Sequence, residues 1–329
     1  LEAATTSFID HQNVSGSGRW LKLENPISGS GNLELRNTGV GFDNLNNGFI
    51  LAGDNTLSGT LTILPSSIVR VGGSAPGENN ANAGIFGTLG DATVVNNGWL
   101  TFARTDFYET TNNISGSGAV RIGSESLVGT DGQNVTVHGQ WTYTGNTLIN
   151  RGTLALAAGS SLPNTAEIYL NAPDGETAVL DVSALGSYTL DSGRKLLGRG
   201  NTGINQVYGN FIATSGSQLV PGGSNAVNAL SFVNDLTLSG GGTIQVDIRD
   251  GITDSIQVFG NLSAAGVTTI EFVSSGPLNT GEYPLVQVSG NFAGNIGNFT
   301  FTGLISQGTR QTFSLAYNTA NNPNSLVLV

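Results

Sequence analysis

The stretch Trp141–Leu170 restricts this chain to short strands more strictly than any other part of the sequence. It contains three segments of Thr, Leu, Ile, Ala and Asn, side chains that suit a pleated surface with one buried face: Asn146–Asn150, Thr153–Ala157 and Ala166–Leu170. Turn-forming residues separate the segments, most clearly Gly145, Gly152 and the run from Gly159 to Asn164. Apolar residues at helical spacing are absent from it. The stretch therefore predicts an all-β fold.

Units of a turn followed by a strand recur along the chain. Ser-Gly-Ser-Gly occurs at positions 15–18, 28–31 and 115–118, and glycine is common, at 48 residues. Units repeated every ~10 to 14 residues are typical of a solenoid or another all-β array. Strands this close in sequence can lie parallel if successive turns of a coil stack, each covering the next at about 4.8 Å. We therefore predict a β-solenoid, and an antiparallel β-sandwich is the alternative.

The domain prediction follows changes in composition. Aromatic residues are denser and strands longer from Leu230 onward, which indicates fuller hydrophobic packing. We predict a solenoid of degenerate repeats over residues 1–229, with a loop excursion at about 72–90. Residues 230–329 are predicted to form the final coils and a β-rich terminal cap.

Charge and composition exclude several classes of partner. The net charge is −11 and no basic stripe exists, which disfavours nucleic acid and anionic lipid surfaces. No run of about 18 apolar residues is present, so membrane insertion is not expected. The chain has no cysteine, which excludes disulfides and thiolate metal sites. A chain without cysteine or methionine agrees with a long-lived protein outside a bacterial cell.

Several segments resemble the autotransporter-associated β-strand repeat of bacterial surface proteins. The most similar is YTGNTLINRGTLALAAGSSLPNTAEIYLNA (143–172) with its continuation AVLDVSALGSYTLDSG (178–193). WLTFARTDFYETTNNISGSGAVRIG (99–123) looks like the unit that precedes it, and 217–248 with 254–266 look like the closing module. The resemblance implies a right-handed parallel β-helix, secreted to the outside or the cell surface of a bacterium, with a structural or adhesive role.

Acidic residues are the candidates for chemistry, because some β-helices cleave polysaccharides. A glycosidase needs two carboxyl groups about 5 to 10 Å apart in a cleft, and the clusters Asp174/Glu176/Asp181 and Asp247/Asp250/Asp254 are the candidates. Asp247, Asp250 and Asp254 could instead bind calcium weakly, because calcium prefers oxygen ligands. Their spacing matches no standard calcium loop. We expect no enzymatic activity and no cofactor other than this calcium.

Aromatic residues have two interpretations. Trp20, Trp99, Trp141, Tyr108 and Tyr143 could form a platform on which sugars stack, but filling the solenoid core is the favoured interpretation. The Asn-rich turns are predicted to stack as ladders of side-chain hydrogen bonds between coils.

The two ends of the chain carry the functional prediction, because the first and last coils of a solenoid are exposed sheet edges. The sequence begins with a β-prone strand and ends with SLVLV. We predict an assembly interface made of residues from both ends: Thr5, Thr6, Ser7, Phe8, Ile9, Leu326, Val327, Leu328 and Val329. The expected function is a structural subunit of an extracellular fibre or matrix that polymerises head-to-tail with itself. A glycan-binding adhesin is the alternative, and a polysaccharide-degrading enzyme the second alternative.

Overall fold

The structure is a computed structural model, and it describes residues 1–12, 20–38, 48–72, 85–123, 134–199, 203–222, 228–249, 252–273, 281–303, 313–321 and 324–329. About 53% of the described residues are in strands and almost none are in helices. Parallel strands from successive coils stack on one another, so the fold is the predicted β-solenoid. The chain divides into two compact units, Leu1–Ala166 and Glu167–Val329.

The described residues of the first unit form sixteen strands. They are β1 (Thr6–Asp10), β2 (Trp20–Leu23), β3 (Ser28–Gly29), β4 (Asn32–Arg36), β5 (Gly48–Leu51), β6 (Thr56–Leu57), β7 (Thr60–Ile63), β8 (Ile68–Val71), β9 (Thr93–Asn96), β10 (Trp99–Phe102), β11 (Phe107–Thr110), β12 (Ile114–Ser115), β13 (Ala119–Ile122), β14 (Asn134–Val137), β15 (Thr147–Ile149) and β16 (Gly152–Leu156). Within this unit one sheet has the order β1-β4-β7-β9-β12, a second β2-β5-β8-β10-β13-β15 and a third β11-β14-β16, while β3 pairs with β6.

In the second unit, the part of the chain that the structure describes forms twenty strands and two short 3₁₀ turns, Ser183–Leu185 and Ile296–Asn298. The strands are β17 (Glu167–Asn171), β18 (Thr177–Asp181), β19 (Ser187–Leu190), β20 (Lys195–Arg199), β21 (Ile204–Tyr208), β22 (Asn210–Ala213), β23 (Gln218–Val220), β24 (Ala229–Phe232), β25 (Leu236–Leu238), β26 (Thr243–Val246), β27 (Ile248–Arg249), β28 (Ile252–Thr253), β29 (Ser255–Val258), β30 (Leu262–Ala264), β31 (Thr268–Phe272), β32 (Tyr283–Val288), β33 (Phe292–Ala293), β34 (Phe299–Thr302), β35 (Leu315–Tyr317) and β36 (Ser325–Leu328).

Three sheets cover the second unit. Their orders within it are β17-β20-β23-β26-β31-β34, β18-β21-β24-β29-β32-β36-β35 and β19-β22-β25-β30-β33, and β27 and β28 form an antiparallel hairpin. The pairing is parallel until β36, which runs antiparallel to both β32 and β35. The predicted boundary at 229/230 falls inside β24, so it does not separate the compact units. The predicted excursion at 72–90 lies largely outside the described residues.

Alternation of side chains along each strand builds the core. In β4, Leu33 and Leu35 are buried while their neighbours are half-exposed, and β7 repeats the pattern with Leu61 and Ile63. Parallel register places Leu33 opposite Leu61 and Leu35 opposite Ile63, so like residues stack from coil to coil. This stacking is how a chain with 38% hydrophobic residues buries a continuous thin core.

A ladder of Asn and Asp side chains follows one corner of the second unit. The Oδ1 atom of Asn210 accepts from the backbone N–H of Asp235 (3.4 Å), and Asp235 Oδ1 accepts from that of Asn261 (2.7 Å). Asn261 Oδ1 in turn accepts from the N–H of Asn291 (3.0 Å). Each side chain therefore occupies a main-chain donor of the next coil. The ladder thus runs mainly from side chain to backbone rather than from side chain to side chain as predicted, although Asn261 Nδ2 also donates to Asp235 Oδ1 at 3.1 Å.

Substituting Asp235 tests the ladder. Asp235→Ala removes the acceptor for both the N–H and the Nδ2 of Asn261, and we expect it to lower the free energy of unfolding by about 1 kcal/mol. Asp235→Asn keeps an oxygen in place and should change stability much less. Urea titrations of the two variants and the wild type make the comparison, and equal losses in both variants would contradict it.

Candidate functional site

The first strand of the solenoid has one free edge among the described residues. Strand β1 pairs in parallel with β4 alone. The C=O of Thr5 accepts from Asn32 and the N–H of His11 donates to Arg36, so odd-numbered residues bond towards β4. Because successive residues of a strand point their N–H and C=O groups to opposite sides, Thr6, Phe8 and Asp10 present theirs to the free edge. This edge is a template for another strand.

Burial shows that the first coil is less covered than the second. All four residues of β2, including Leu21 and Leu23, are half-exposed, and so is Ile9 in β1. Their register partners Phe49, Leu51 and Leu35 are at most 2% exposed. Ile9, Leu21 and Leu23 thus occupy core positions, but in the first coil they are only partly covered. An additional coil would cover them.

Polar contacts hold β1 in place on its outer face. The guanidinium carbon of Arg36 lies 3.7 Å from the centroid of the Phe8 ring, which is 58% exposed. Asp10 accepts a hydrogen bond from the Thr38 hydroxyl at 2.8 Å and pairs with Arg36 at 3.6 Å. The Thr38 hydrogen bond is the largest of the effects that lower the pKa of Asp10. These contacts hold β1 in one conformation. A partner strand that pairs with it would therefore lose little free energy to ordering β1.

The C-terminal residues of the predicted interface lie in and next to the last strand. Strand β36 is paired on both sides, with β32 and with β35, so it offers no open edge. Leu326, Val327 and Leu328 are at most 2% exposed, and Val329 exchanges two backbone hydrogen bonds with Ser314. The reason is that the chain reverses direction and inserts its last strand into the sheet, which the β-prone letters SLVLV could not reveal. At this end, β34 is the last strand of its sheet, with no partner beyond it among the described residues.

The acidic cluster takes part in backbone hydrogen bonds. Asp254 is 2% exposed, and its two carboxylate oxygens accept from the backbone N–H groups of Asn228 and Asp247, each at 2.9 Å. The C=O of Asp247 accepts from the N–H of Asp254 at 3.0 Å, which closes the base of the β27–β28 hairpin. Asp250 lies outside the described residues. Among those that are described, no group of three or more His, Asp or Glu side chains could hold a metal ion.

Carboxylates of the other cluster are spread along one coil. Asp174 and Glu176 are exposed in the turn that precedes β18, and Asp181 ends that strand. Asp181 Oδ1 accepts from both the N–H and the hydroxyl of Ser183, at 2.9 and 2.6 Å. This carboxylate thus orders the following 3₁₀ turn.

The aromatic residues divide into two groups. Trp141 and Tyr143 are fully buried and Tyr108 is 8% exposed, as expected for core residues. Trp141 stacks on Phe102, with ring centroids 5.6 Å apart and planes 9° from parallel. Trp20 and Trp99, in contrast, are half-exposed on the outer face of their sheet. The prediction of core filling is therefore confirmed for Trp141, Tyr143 and Tyr108. Trp20 and Trp99 lie outside the core.

Arginine side chains stack on the outer aromatic rings. The guanidinium of Arg121 lies 4.6 Å from the ring centroid of Trp99, and Arg70 lies 4.4 Å from that of Trp20. Burial first, and then the positive charge of Arg70, lowers the pKa of Arg121 to about 10. Such contacts are favourable when the cation is partly desolvated. Reasoning from sequence missed these pairs.

Three aromatic–arginine pairs share one geometry, and this regularity could have predicted them from the sequence. Trp99 lies opposite Ala119, and Arg121 is two residues further along the same strand. Phe8 with Arg36, and Tyr169 with Arg199, repeat this diagonal across one coil. These three pairs therefore join an aromatic residue to an arginine displaced by two positions on the next coil, a spacing visible once the strands are aligned in register. Trp20 differs, because its partner Arg70 lies two coils away.

A groove opens beside Trp99, at a corner where several coils turn into the sheet of β8, β10, β13 and β15. Its volume is about 420 Å³. The lining residues are Ser66, Ile68, Asn97, Gly98, Trp99, Ser117, Gly118, Ala119, Gly145 and Asn146. Trp99 supplies the only aromatic ring, and no charged residue is among them. The lining is therefore neutral and rich in hydrogen-bonding groups.

No family model and no curated protein matches this chain. In the described part of the chain, no helix is long and apolar enough to cross a membrane.

Proposed function

We propose that this protein is a non-catalytic structural subunit of an extracellular or cell-surface fibre or matrix, of the kind implied by its resemblance to autotransporter-associated repeats. Its copies assemble head-to-tail. The single observation that carries the proposal is the free edge of β1, with the incompletely covered first coil behind it.

The partner is the C-terminal end of a second copy. Strands β33 and β34 are the last of their sheets among the described residues, and β1 and β2 are the first of theirs. Stacking the last coil of one copy on the first coil of the next would continue parallel pairing across the junction. The same contact would cover Ile9, Leu21 and Leu23, so hydrogen bonding and apolar burial act together. Strand β36 remains inside its own subunit.

The composition agrees with the proposed extracellular location and non-catalytic role. A chain without cysteine cannot be altered by disulfide exchange, and its low charged content of 11% gives a surface of amides and hydroxyls. Two carboxylates of the candidate acidic clusters, Asp254 and Asp181, satisfy backbone donors in the fold. This arrangement agrees with a non-catalytic role for them.

Sedimentation and electron microscopy of the purified protein test assembly directly. We expect species well above the 33.8 kDa of one chain, growing with concentration into filaments. A single 33.8 kDa species at every concentration would overturn the proposal.

Engineered cysteines test which ends meet, because the chain has none of its own. Protein carrying Lys22→Cys, in β2, is mixed with protein carrying Thr300→Cys, in β34, under mild oxidation, and we expect disulfide-linked dimers. Thr269→Cys is the matched control, since Thr269 lies opposite Thr300 one coil inside the subunit. Equal yields from Thr269→Cys and Thr300→Cys would contradict coil-on-coil stacking.

A further inference from the structure

The groove beside Trp99 is a shallow depression that is open to solvent and runs across several coils. Its volume of about 420 Å³ lies in the range of small-molecule sites, and its lining residues come from successive coils of the first unit. Stacked coils lie about 4.8 Å apart, so a lining that spans four coils extends for about 14 Å. This length matches a short chain of sugar rings better than a single small molecule.

Glycine residues form the bottom of the groove and allow neighbouring coils to approach closely there. A Cβ atom at Gly118 would come within 2.2 Å of the backbone oxygen of Gly98, and one at Gly145 would come as close to that of Gly118. Close stacking of the coils therefore requires glycine at these two positions. The neighbour of Trp99 in register is Ala119, also a small residue. Trp99 consequently stands beside a shallow channel of backbone.

We infer that this groove binds a neutral glycan, with the Trp99 indole as the stacking platform. The face of an aromatic ring carries partial negative charge and attracts the C–H groups on the apolar face of a pyranose. Arg121, whose guanidinium lies 4.6 Å from the ring centroid, fixes the indole against the sheet. A platform ordered in advance lowers the entropy cost of binding.

The rim supplies hydrogen bonds for sugar hydroxyl groups. Asn97 Oδ1 accepts from the N–H and the hydroxyl of Ser117, at 3.1 and 3.3 Å, so its Nδ2 is the donor that it offers to a ligand. The hydroxyl of Ser66 and the amide of Asn146 lie along the same lining. Amides and hydroxyls without a carboxylate or an ammonium group select a neutral, hydroxyl-rich ligand. A nucleic acid would also stack on Trp99, but the net charge of −11 opposes a polyanion.

Titration calorimetry with cellohexaose, laminarihexaose and hexagalacturonate tests this inference on the wild type, whatever its state of assembly. We expect at least one of the two neutral hexasaccharides to bind, with saturable heat. Trp99→Ala should lower that affinity at least tenfold, which corresponds to about 1.4 kcal/mol. Trp20→Ala is the matched control, because Trp20 also stacks on an arginine but does not line the groove, and it should bind as the wild type does.

Three results would overturn the inference. They are no binding of either neutral sugar at millimolar concentration, equal loss in Trp99→Ala and Trp20→Ala, and tighter binding of hexagalacturonate than of both neutral sugars. Thermal melting of each variant separates lost binding from lost folding. If Trp99→Ala is unstable, Ser117→Ala together with Asn97→Ala removes rim contacts and should also weaken binding at least several-fold. Filament formation is not required for any of these results, so the test is independent of the proposed assembly.

Discussion

Phe8→Pro should abolish filament formation while leaving the subunit folded. The N–H of residue 8 points to the free edge of β1, so proline removes a donor that no bond among the described residues uses. The proline ring would also project into the space that an incoming strand must occupy. Edge strands tolerate proline at such outward positions, whereas inner strands do not.

Two control variants separate the effect of losing the edge N–H from the effect of losing the Phe8 ring. Phe8→Ala removes the ring stacked under Arg36 but keeps the N–H, so its filaments should persist. Ile9→Pro removes a donor directed towards β4, and it should lower the stability of the first coil as well as assembly. Sedimentation, electron microscopy and thermal melting of all three variants complete the comparison. Normal filaments of folded Phe8→Pro would show that β1 is not the contact edge.

Trp141→Ala should destabilise the first unit by about 3–5 kcal/mol, the usual cost of truncating a large buried aromatic residue. Trp141 is fully buried between Phe102, 5.6 Å away, and Tyr143, 6.1 Å away, measured between ring centroids. Its removal leaves a cavity whose walls belong to several coils. Tyr143 also shares a 2.6 Å hydrogen bond with Thr147, so the loss would disturb a polar contact in the core.

Trp141→Phe provides the comparison. No described group accepts a hydrogen bond from Trp141 Nε1, so phenylalanine keeps most of the stacking and removes a buried N–H that gains nothing. We expect a loss of about 1 kcal/mol or less. Urea unfolding followed by near-ultraviolet circular dichroism measures both variants. Similar losses for Ala and Phe would mean that the stack contributes little.

Much of the architecture could be predicted because local turn chemistry and alternation decide it. The strands expected at 146–150, 153–157 and 166–170 correspond to β15, β16 and β17, whose ends differ from the expected ones by one residue. Strand β8 was missed because Ile68, Val69, Arg70 and Val71 are all buried, so the usual alternation of polar and apolar residues is absent. The sequence does not show whether an arginine such as Arg70 is buried in a strand covered on both faces or exposed to solvent.

The candidate sites depend on tertiary relations that sequence alone does not contain. The free edge of β1 was predictable, because a first strand at the end of a stack has one side unpaired. The antiparallel insertion of β36 was not, since it depends on the direction in which the chain returns. The groove could not be predicted either, because Trp99 and Asn146 line one groove only when coils of unequal length are aligned.

The variation in coil length shows where this scaffold can accept new sequence. Hydrogen bonds between neighbouring coils join residues 19 positions apart at Gln140 and Gly159 but 35 positions apart at Gly53 and Thr88, yet the strands stay in register. Extra residues are therefore accommodated at corners without shifting the core. Gly175, Gly186 and Gly193 occupy such turns, and a Cβ at these sites would meet nothing within 4 Å. These three turns belong to one coil, between β17 and β20, so peptides grafted there would be displayed around that coil. In the proposed head-to-tail fibre they would recur once per subunit, which makes the chain a candidate carrier for ordered arrays of epitopes or enzymes.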